Sequence, residues 1–159
     1  MRAEATLTRV RRSGVIGIVR ADSAALARQR AHAALDAGLD VVEVSLTTPG
    51  ALEVIAELAA HSTAVVGAGT VLTSDDARRV IDHGATIIVT PALDLGVIEV
   101  ARAQDVAVFP GCLTPSEMFR ATQAGATGVK IFPAHLWSPR ALAGLLEALP
   151  QLRCVPTGG

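Results

Sequence analysis

Short runs of β-branched and other apolar residues alternate along this chain with stretches of helical spacing. The strand-like runs cover residues 15–19, 41–46, 64–66, 86–90, 107–109, 128–132 and 154–155. Between them, Ala-, Leu-, Glu- and Arg-rich stretches predict helices over 24–37, 51–60, 75–83, 95–103, 115–124 and 139–149. Apolar strands that alternate with helices indicate a parallel sheet with helices covering its faces.

Helix boundaries are marked by capping residues and glycines. The predicted N-terminal caps are Ser23, Thr48-Pro49, Ser74, Asp94, Thr114-Pro115 and Ser138-Pro139. Three helices are predicted to end at Gly38, Gly84 and Gly125. These signals support the alternation of strands and helices independently of hydrophobicity.

Two α/β architectures fit this pattern, an open doubly wound sheet and a (β/α)8 TIM barrel. The first strand ends in Gly17-Ile-Val-Arg20 and lacks the GxGxxG fingerprint of dinucleotide-binding sheets. The regular period and the polar strand ends favour the barrel, as a single domain over residues 1–159. With seven strands and six helices, the barrel is expected to be incomplete at its C-terminus, either as a fragment of a longer product or with another chain or an irregular closure covering the gap.

Composition argues against several functional classes. The net charge is -1 with interspersed charges, so neither nucleic acid nor an anionic membrane is an expected partner. No apolar run approaches a membrane span, and the N-terminus does not resemble a signal peptide. The arginines near residues 9–12 are expected on a solvated helix face. Cys112 and Cys154 are isolated and are predicted to be reduced. The sequence thus predicts a cytoplasmic protein, without a metal-binding motif or a cofactor.

Lys130 is the only lysine in the chain, and it lies between Val129 and Ile131 in a strand-like run. Arginine stays protonated, whereas a desolvated lysine can lose its proton and form a Schiff base with a carbonyl compound. A codon preference for arginine is the simpler explanation. The apolar position, which must accommodate an amine, favours a catalytic role.

Glu43 lies in a similar apolar setting, within the run 41–46. Buried carboxylates are costly unless paired or used, so an ion pair with Arg20 on the neighbouring strand is one interpretation. Glu43 and Lys130 belong to the second and sixth strands, and alternate strands contribute to the same interior layer of a barrel. They are therefore predicted to share a cavity, with Arg20 and burial lowering the pKa of Lys130.

Other polar groups follow the strand ends, where barrels place their active sites. Gly67-Ala-Gly-Thr70 offers a hydroxyl and a close backbone approach, although a tight turn is the simpler interpretation. Gly158-Gly159 follows the seventh strand, a common position for phosphate binding in barrels. His135, just beyond the lysine strand, is a weaker candidate for the rim.

These motifs together resemble the class I 2-keto-3-deoxy-6-phosphogluconate aldolases. The resemblance rests on 43–46 (EVSL), 67–72 (GAGTVL), 89–91 (VTP), 109–115 (FPGCLTP) with Glu117, 129–133 (VKIFP) and 156–159 (PTGG). It implies a metal-free (β/α)8 enzyme, usually trimeric, that cleaves phosphorylated keto acids to pyruvate and glyceraldehyde 3-phosphate.

The resemblance also implies roles for individual residues. Lys130 would form the imine and Glu43 would shuttle protons. Thr70 and Pro91 would line the pyruvate half, and Thr157, Gly158 and Gly159 would meet the distal end and the phosphate. Thr47 stands where the gluconate-type pattern has an arginine. This departure, with the ending of the first strand, looks closer to the phosphogalactonate aldolases and implies that Arg20 binds the substrate carboxylate.

Two alternatives stay open from the sequence. One is another phosphate-binding barrel enzyme, such as an isomerase that uses Glu43 as base and Lys130 only as a cation. The other is a non-catalytic barrel fragment.

Overall fold

The computed structural model describes residues 2–158, which form a parallel α/β structure. The helices are α1 (Arg2–Ser13), α2 (Ala24–Asp36), α3 (Ala51–His61), α4 (Ser74–Asp82), α5 (Leu95–Ala103), α6 (Pro115–Gln123) and α7 (Pro139–Ala148), with a 3-10 turn at Ala134–Leu136. The strands are β1 (Gly17–Val19), β2 (Val41–Ser45), β3 (Val65–Gly69), β4 (Ile87–Val89), β5 (Ala107–Phe109), β6 (Gly111–Cys112), β7 (Val129–Ile131) and β8 (Cys154–Pro156).

The strands follow one another in chain order and all pair in parallel. Pro110 separates β5 from β6, because proline has no N–H to donate, and its carbonyl accepts from the Lys130 amide at 2.9 Å. The eight segments therefore occupy seven strand positions, in agreement with the seven predicted runs. This is the wall of a (β/α)8-type barrel. Its edge strands β1 and β8 do not pair with each other within residues 2–158.

The two faces of the sheet contact different partners. Outward residues such as Val42 and Val44 pack beneath the surrounding helices. Inward residues, including Val41 and Phe109, pack against Leu7 of α1, which covers the N-terminal end of the barrel. This alternation follows the two-residue period of a strand.

Helix α1 is also attached to the barrel by ion pairs. The expectation of a fully solvated arginine face is wrong for Arg9, which donates two hydrogen bonds to the Asp40 carboxylate just before β2. Arg12 pairs with the same carboxylate at 3.4 Å. These contacts lower the pKa of Asp40, with the hydrogen bond from Arg9 as the main cause.

Most of the predicted caps are confirmed. Side chains accept from the first turn at Ser23, Asp94, Thr114 and Ser138. Two predictions are wrong, because α3 begins after Gly50 and α4 is capped by Thr73. Thr48 does not cap α3, and its buried hydroxyl accepts instead from the Ala21 amide at 3.2 Å.

Gly67 in β3 permits the close approach of β4. A Cβ atom at this position would lie 2.1 Å from the carbonyl oxygen of Ile87, a backbone atom that cannot rotate away. We expect Gly67→Ala to lower the free energy of unfolding by about 3 kcal/mol or more.

Thermal and urea unfolding measure this effect. The control is Gly144→Ala in α7, where nothing lies within 4 Å of the added atom. The free energy of unfolding of that variant should rise by up to about 1 kcal/mol, because alanine has a higher helix propensity than glycine. A Gly67→Ala protein as stable as the wild type would contradict the packing argument.

None of the helices in residues 2–158 is both long and apolar enough to cross a membrane. The assignment of residues 1–159 to one domain stays a prediction.

Candidate active site

A cavity of about 600 Å³ lies along the open seam between β1 and β8. Its lining includes two ionisable side chains from the interior of the barrel, those of Glu43 and Lys130. Thr157 and Gly158 line the part of the cavity that follows β8. The seam leaves Ile18 of β1 48% exposed although its register partner is the buried Glu43. We call this space the seam cavity.

Lys130 projects into the barrel from β7. Its neighbours Val129 and Ile131 are fully buried in the outer core, which directs the lysine side chain inward. The residue is 8% exposed, and its Nζ lies 4.5 Å from the centroid of the Phe132 ring. Burial lowers the pKa of Lys130; the charge of Glu43 raises it, and that of Arg20 lowers it further. The amine is thus shifted toward its neutral, nucleophilic form.

Glu43 projects inward from β2 and is 3% exposed. Burial raises its pKa to about 7, against the opposing charges of Lys130 and Arg20. Within residues 2–158, its Oε2 atom has no hydrogen-bond partner and the carboxylate has no ion-pair partner within 4.0 Å. The ion pair with Arg20 that the sequence left open is therefore not formed. A carboxyl group that titrates near neutral pH can both accept and donate a proton.

Gly69 makes room for that carboxylate, a role the sequence analysis missed. A Cβ atom at position 69 would lie 2.5 Å from Oε1 of Glu43. Residues 67–69 lie within strand β3, so the interpretation as a tight turn is wrong for these three residues. The strand ends at Gly69, and the next residue, Thr70, adopts φ +59°. A glycine inside a strand often marks a position that another group approaches closely, and this is the signal that the sequence offered for Gly69.

Arg20 follows β1 and is exposed. Its carbonyl accepts a hydrogen bond from Arg30 at 2.5 Å, and the next amide, of Ala21, is held by Thr48. The Arg20 guanidinium itself makes no hydrogen bond or ion pair with any residue between 2 and 158. The backbone of Arg20 is thus anchored, and its guanidinium is available to bind a ligand. The positive charge of Arg20 also lowers the pKa of both Glu43 and Lys130.

Two further predicted residues, Thr157 and Pro91, follow the ends of different strands. Thr157 continues the ladder after β8, its amide donating to the Ile131 carbonyl at 3.0 Å. Pro91 follows β4 and packs so closely on Gly111 that a Cβ atom there would lie 2.3 Å from the Pro91 carbonyl carbon. Like Arg20 and Thr70, Pro91 does not line the seam cavity. Gly159 lies outside the described residues.

Of the other candidates from the sequence, His135 and Cys112 do not line this cavity, whereas Cys154 does. His135 is exposed in the 3-10 turn. Cys112 and Cys154 are both free thiols, and burial raises the pKa of Cys112 to about 12. In the part of the chain that the structure describes, no three His, Cys, Asp or Glu side chains are grouped so as to hold a metal ion.

The sequence and fold of the chain are similar to those of known aldolases. A family profile described as KDPG and KHG aldolase matches residues 7–159. The 2-dehydro-3-deoxy-6-phosphogalactonate aldolase of Escherichia coli is 36% identical over 139 residues, which are 86% of this chain and 68% of that protein. The chain spans 61% and 68% of the length of two curated phosphogalactonate aldolases that it matches.

Two solved structures extend the comparison. The 2-keto-3-deoxy-6-phosphogluconate aldolase of Zymomonas mobilis, solved with 3-phosphoglycerate, has a TM-score of 0.88 at 31% identity and covers 99% of this chain and 76% of its own. The KDPG aldolase of Legionella pneumophila, with pyruvate captured as a covalent carbinolamine, has a TM-score of 0.78 at 25% identity, with coverages of 91% and 71%. The chain belongs to the KDPG and KHG aldolase family.

Proposed function

We propose that the chain is a class I aldolase that cleaves 2-keto-3-deoxy-6-phospho sugar acids to pyruvate and glyceraldehyde 3-phosphate. The observation that carries this proposal is a buried lysine and a buried carboxyl group lining one cavity. Burial lowers the pKa of Lys130 and raises that of Glu43 to about 7. Groups whose pKa values are shifted toward neutrality by burial are typical of catalytic pairs.

The chemistry begins with neutral Lys130. Its Nζ attacks the C2 ketone of the substrate, and loss of water leaves a protonated imine. Ionised Glu43 takes the proton of the C4 hydroxyl, the C3–C4 bond breaks, and its electron pair enters the imine to form an enamine. The aldehyde then leaves. Glu43 returns the proton to C3, and water hydrolyses the imine to release pyruvate and free Lys130.

The residues at the strand ends would bind the substrate. We propose that Arg20, with its unpaired charge near both catalytic groups, binds the carboxylate, and that Thr70 and Pro91 line the pyruvate half. Thr157, Gly158 and Gly159 would bind the distal end and phosphate. The presence of Thr47 in place of an arginine, with Arg20 available, favours a phosphogalactonate substrate.

We further propose a homotrimer in the cytoplasm, with phosphorylated keto acid and pyruvate as the small-molecule partners. Large apolar side chains that are exposed in the single chain, including Leu72, Phe119 and Leu136, support an association of subunits.

Borohydride reduction in the presence of pyruvate tests the central step. We expect the intact mass to rise by one pyruvate, minus one water, plus two hydrogens, and peptide mapping to place the adduct on Lys130. The chain has no other lysine, so the N-terminal amine is the only competing primary amine. A folded protein with unmodified Lys130 would overturn the proposal. Treatment with borohydride alone is the control.

A further inference from the structure

Three hydroxyl groups form a connected chain where β2 and β3 end. Ser45 Oγ lies 2.8 Å from Thr47 Oγ1 and 2.9 Å from Thr70 Oγ1. Ser45 is fully buried, Thr70 is half-buried, and Thr47 is exposed. We call this arrangement the hydroxyl chain. The proposed function gives a role only to its inner end, Thr70.

The number of protons gives the hydroxyl chain a direction. A hydroxyl has one proton to donate and two lone pairs that accept. Ser45 Oγ already accepts from the Thr47 amide at 3.4 Å, so one lone pair and one proton remain for its two hydroxyl neighbours. Ser45 therefore accepts from one threonine and donates to the other. The threonine that receives the Ser45 proton keeps its own proton free for an external acceptor.

Two observations favour Thr70 over Thr47 as the end of the hydroxyl chain that would donate to a ligand. It is a β-branched residue at φ +59°, a backbone conformation that costs about 1–3 kcal/mol and is concentrated at functional sites. Its one side-chain partner in residues 2–158 is Ser45. The strand order β1-β2-β3 also brings the end of β3 to within two strands of Arg20. An anion near Arg20 would select the direction in which Thr70 donates.

We propose that Ser45 is a positioning residue for substrate binding, which rests on the proposed aldolase function. When the keto acid is bound, Thr47 donates to Ser45 and Ser45 donates to Thr70. The Thr70 hydroxyl is then left to donate to the substrate carboxylate. Ser45 acts through Thr70 and touches neither substrate nor Lys130.

The variant Ser45→Ala tests this role. Loss of one oriented hydrogen bond to a charged acceptor should raise KM for the keto acid about 10-fold, while kcat changes less than about threefold. The pyruvate concentration that gives half-maximal borohydride trapping should rise by a similar factor. Ser45→Thr, which keeps the hydroxyl, should bring both values back to within about threefold of the wild type.

A double-variant comparison separates positioning from a structural role. If Ser45 acts through Thr70, then Ser45→Ala combined with Thr70→Val should raise KM no more than Thr70→Val alone. Additive effects would overturn the proposal, as would a lower melting temperature for Ser45→Ala with an unchanged KM. Ser62→Ala, at the C-terminal end of α3, is the matched control and should change neither constant.

The two proposals fail in different ways. A wild-type protein that forms no adduct with pyruvate would refute the aldolase function and the role of Ser45 with it. A wild-type protein that traps pyruvate, with a Ser45→Ala variant that traps it at the same half-maximal concentration, would refute only the role of Ser45.

Discussion

Lys130→Arg is expected to reduce aldol cleavage by at least about 10³-fold and to abolish borohydride trapping on the side chain. Arginine keeps the positive charge but cannot supply a neutral amine for the imine. The variant also removes every lysine from the chain, so any residual adduct must lie on the N-terminal amine. Cleavage rate and intact mass after borohydride treatment are the two measurements.

Comparison with Lys130→Met distinguishes the imine from a purely cationic lysine, as in the isomerase alternative. If Lys130 acts only as a cation, the arginine variant should retain much more activity than the methionine variant. If it forms the imine, both variants should be inactive. Lys130 is buried beside Phe132, so the larger arginine could disturb packing, and melting temperatures for both variants control for this. Substantial activity of a folded Lys130→Arg protein would contradict the Schiff-base mechanism.

Much of the fold could be predicted because its signals are local. Alternation of strands and helices follows from side-chain periodicity, and α5 begins and ends where its cap and spacing predict. One error, at the start of α3, occurred where a tertiary contact competes with a local preference. Thr48 has the residue type of a helix cap, but its hydroxyl binds the Ala21 amide across the sheet.

The shared cavity of Glu43 and Lys130 was predictable for a similar reason. A charged residue in the middle of an apolar strand must face a cavity or a partner, and both Glu43 and Lys130 are on inward positions of their strands. Their supporting residues were not predictable, because glycine and serine have many uses in strands. Only the three-dimensional register places Gly69 against the Glu43 carboxylate and Ser45 between two threonines.

Glu43→Gln should lower kcat for cleavage by about 10² to 10³-fold. The amide is close in size to the carboxylate but cannot take the C4 hydroxyl proton or return a proton to C3. Imine formation depends mainly on Lys130, so borohydride should still trap pyruvate on the variant, although more slowly. Loss of trapping together with loss of turnover, in a folded protein, would instead assign Glu43 a role in maintaining Lys130.

The same substitution should stabilise the folded protein at alkaline pH, because the buried carboxylate is costly once it ionises. Glu43 has a folded-state pKa of about 7 against an ordinary value of 4.5. A carboxyl group with a raised pKa contributes to the free energy of unfolding below pH 4.5, and this contribution is lost as the pH rises through 7. The free energy of unfolding of Glu43→Gln should therefore equal that of the wild type near pH 4.5 and exceed it by about 3 kcal/mol at pH 8. Urea unfolding at the two pH values measures the difference, with the exposed Glu99→Gln in α5 as control. An equal stability difference at both pH values would show that Glu43 does not titrate in this range, and the proton-transfer role would then lose its physical basis.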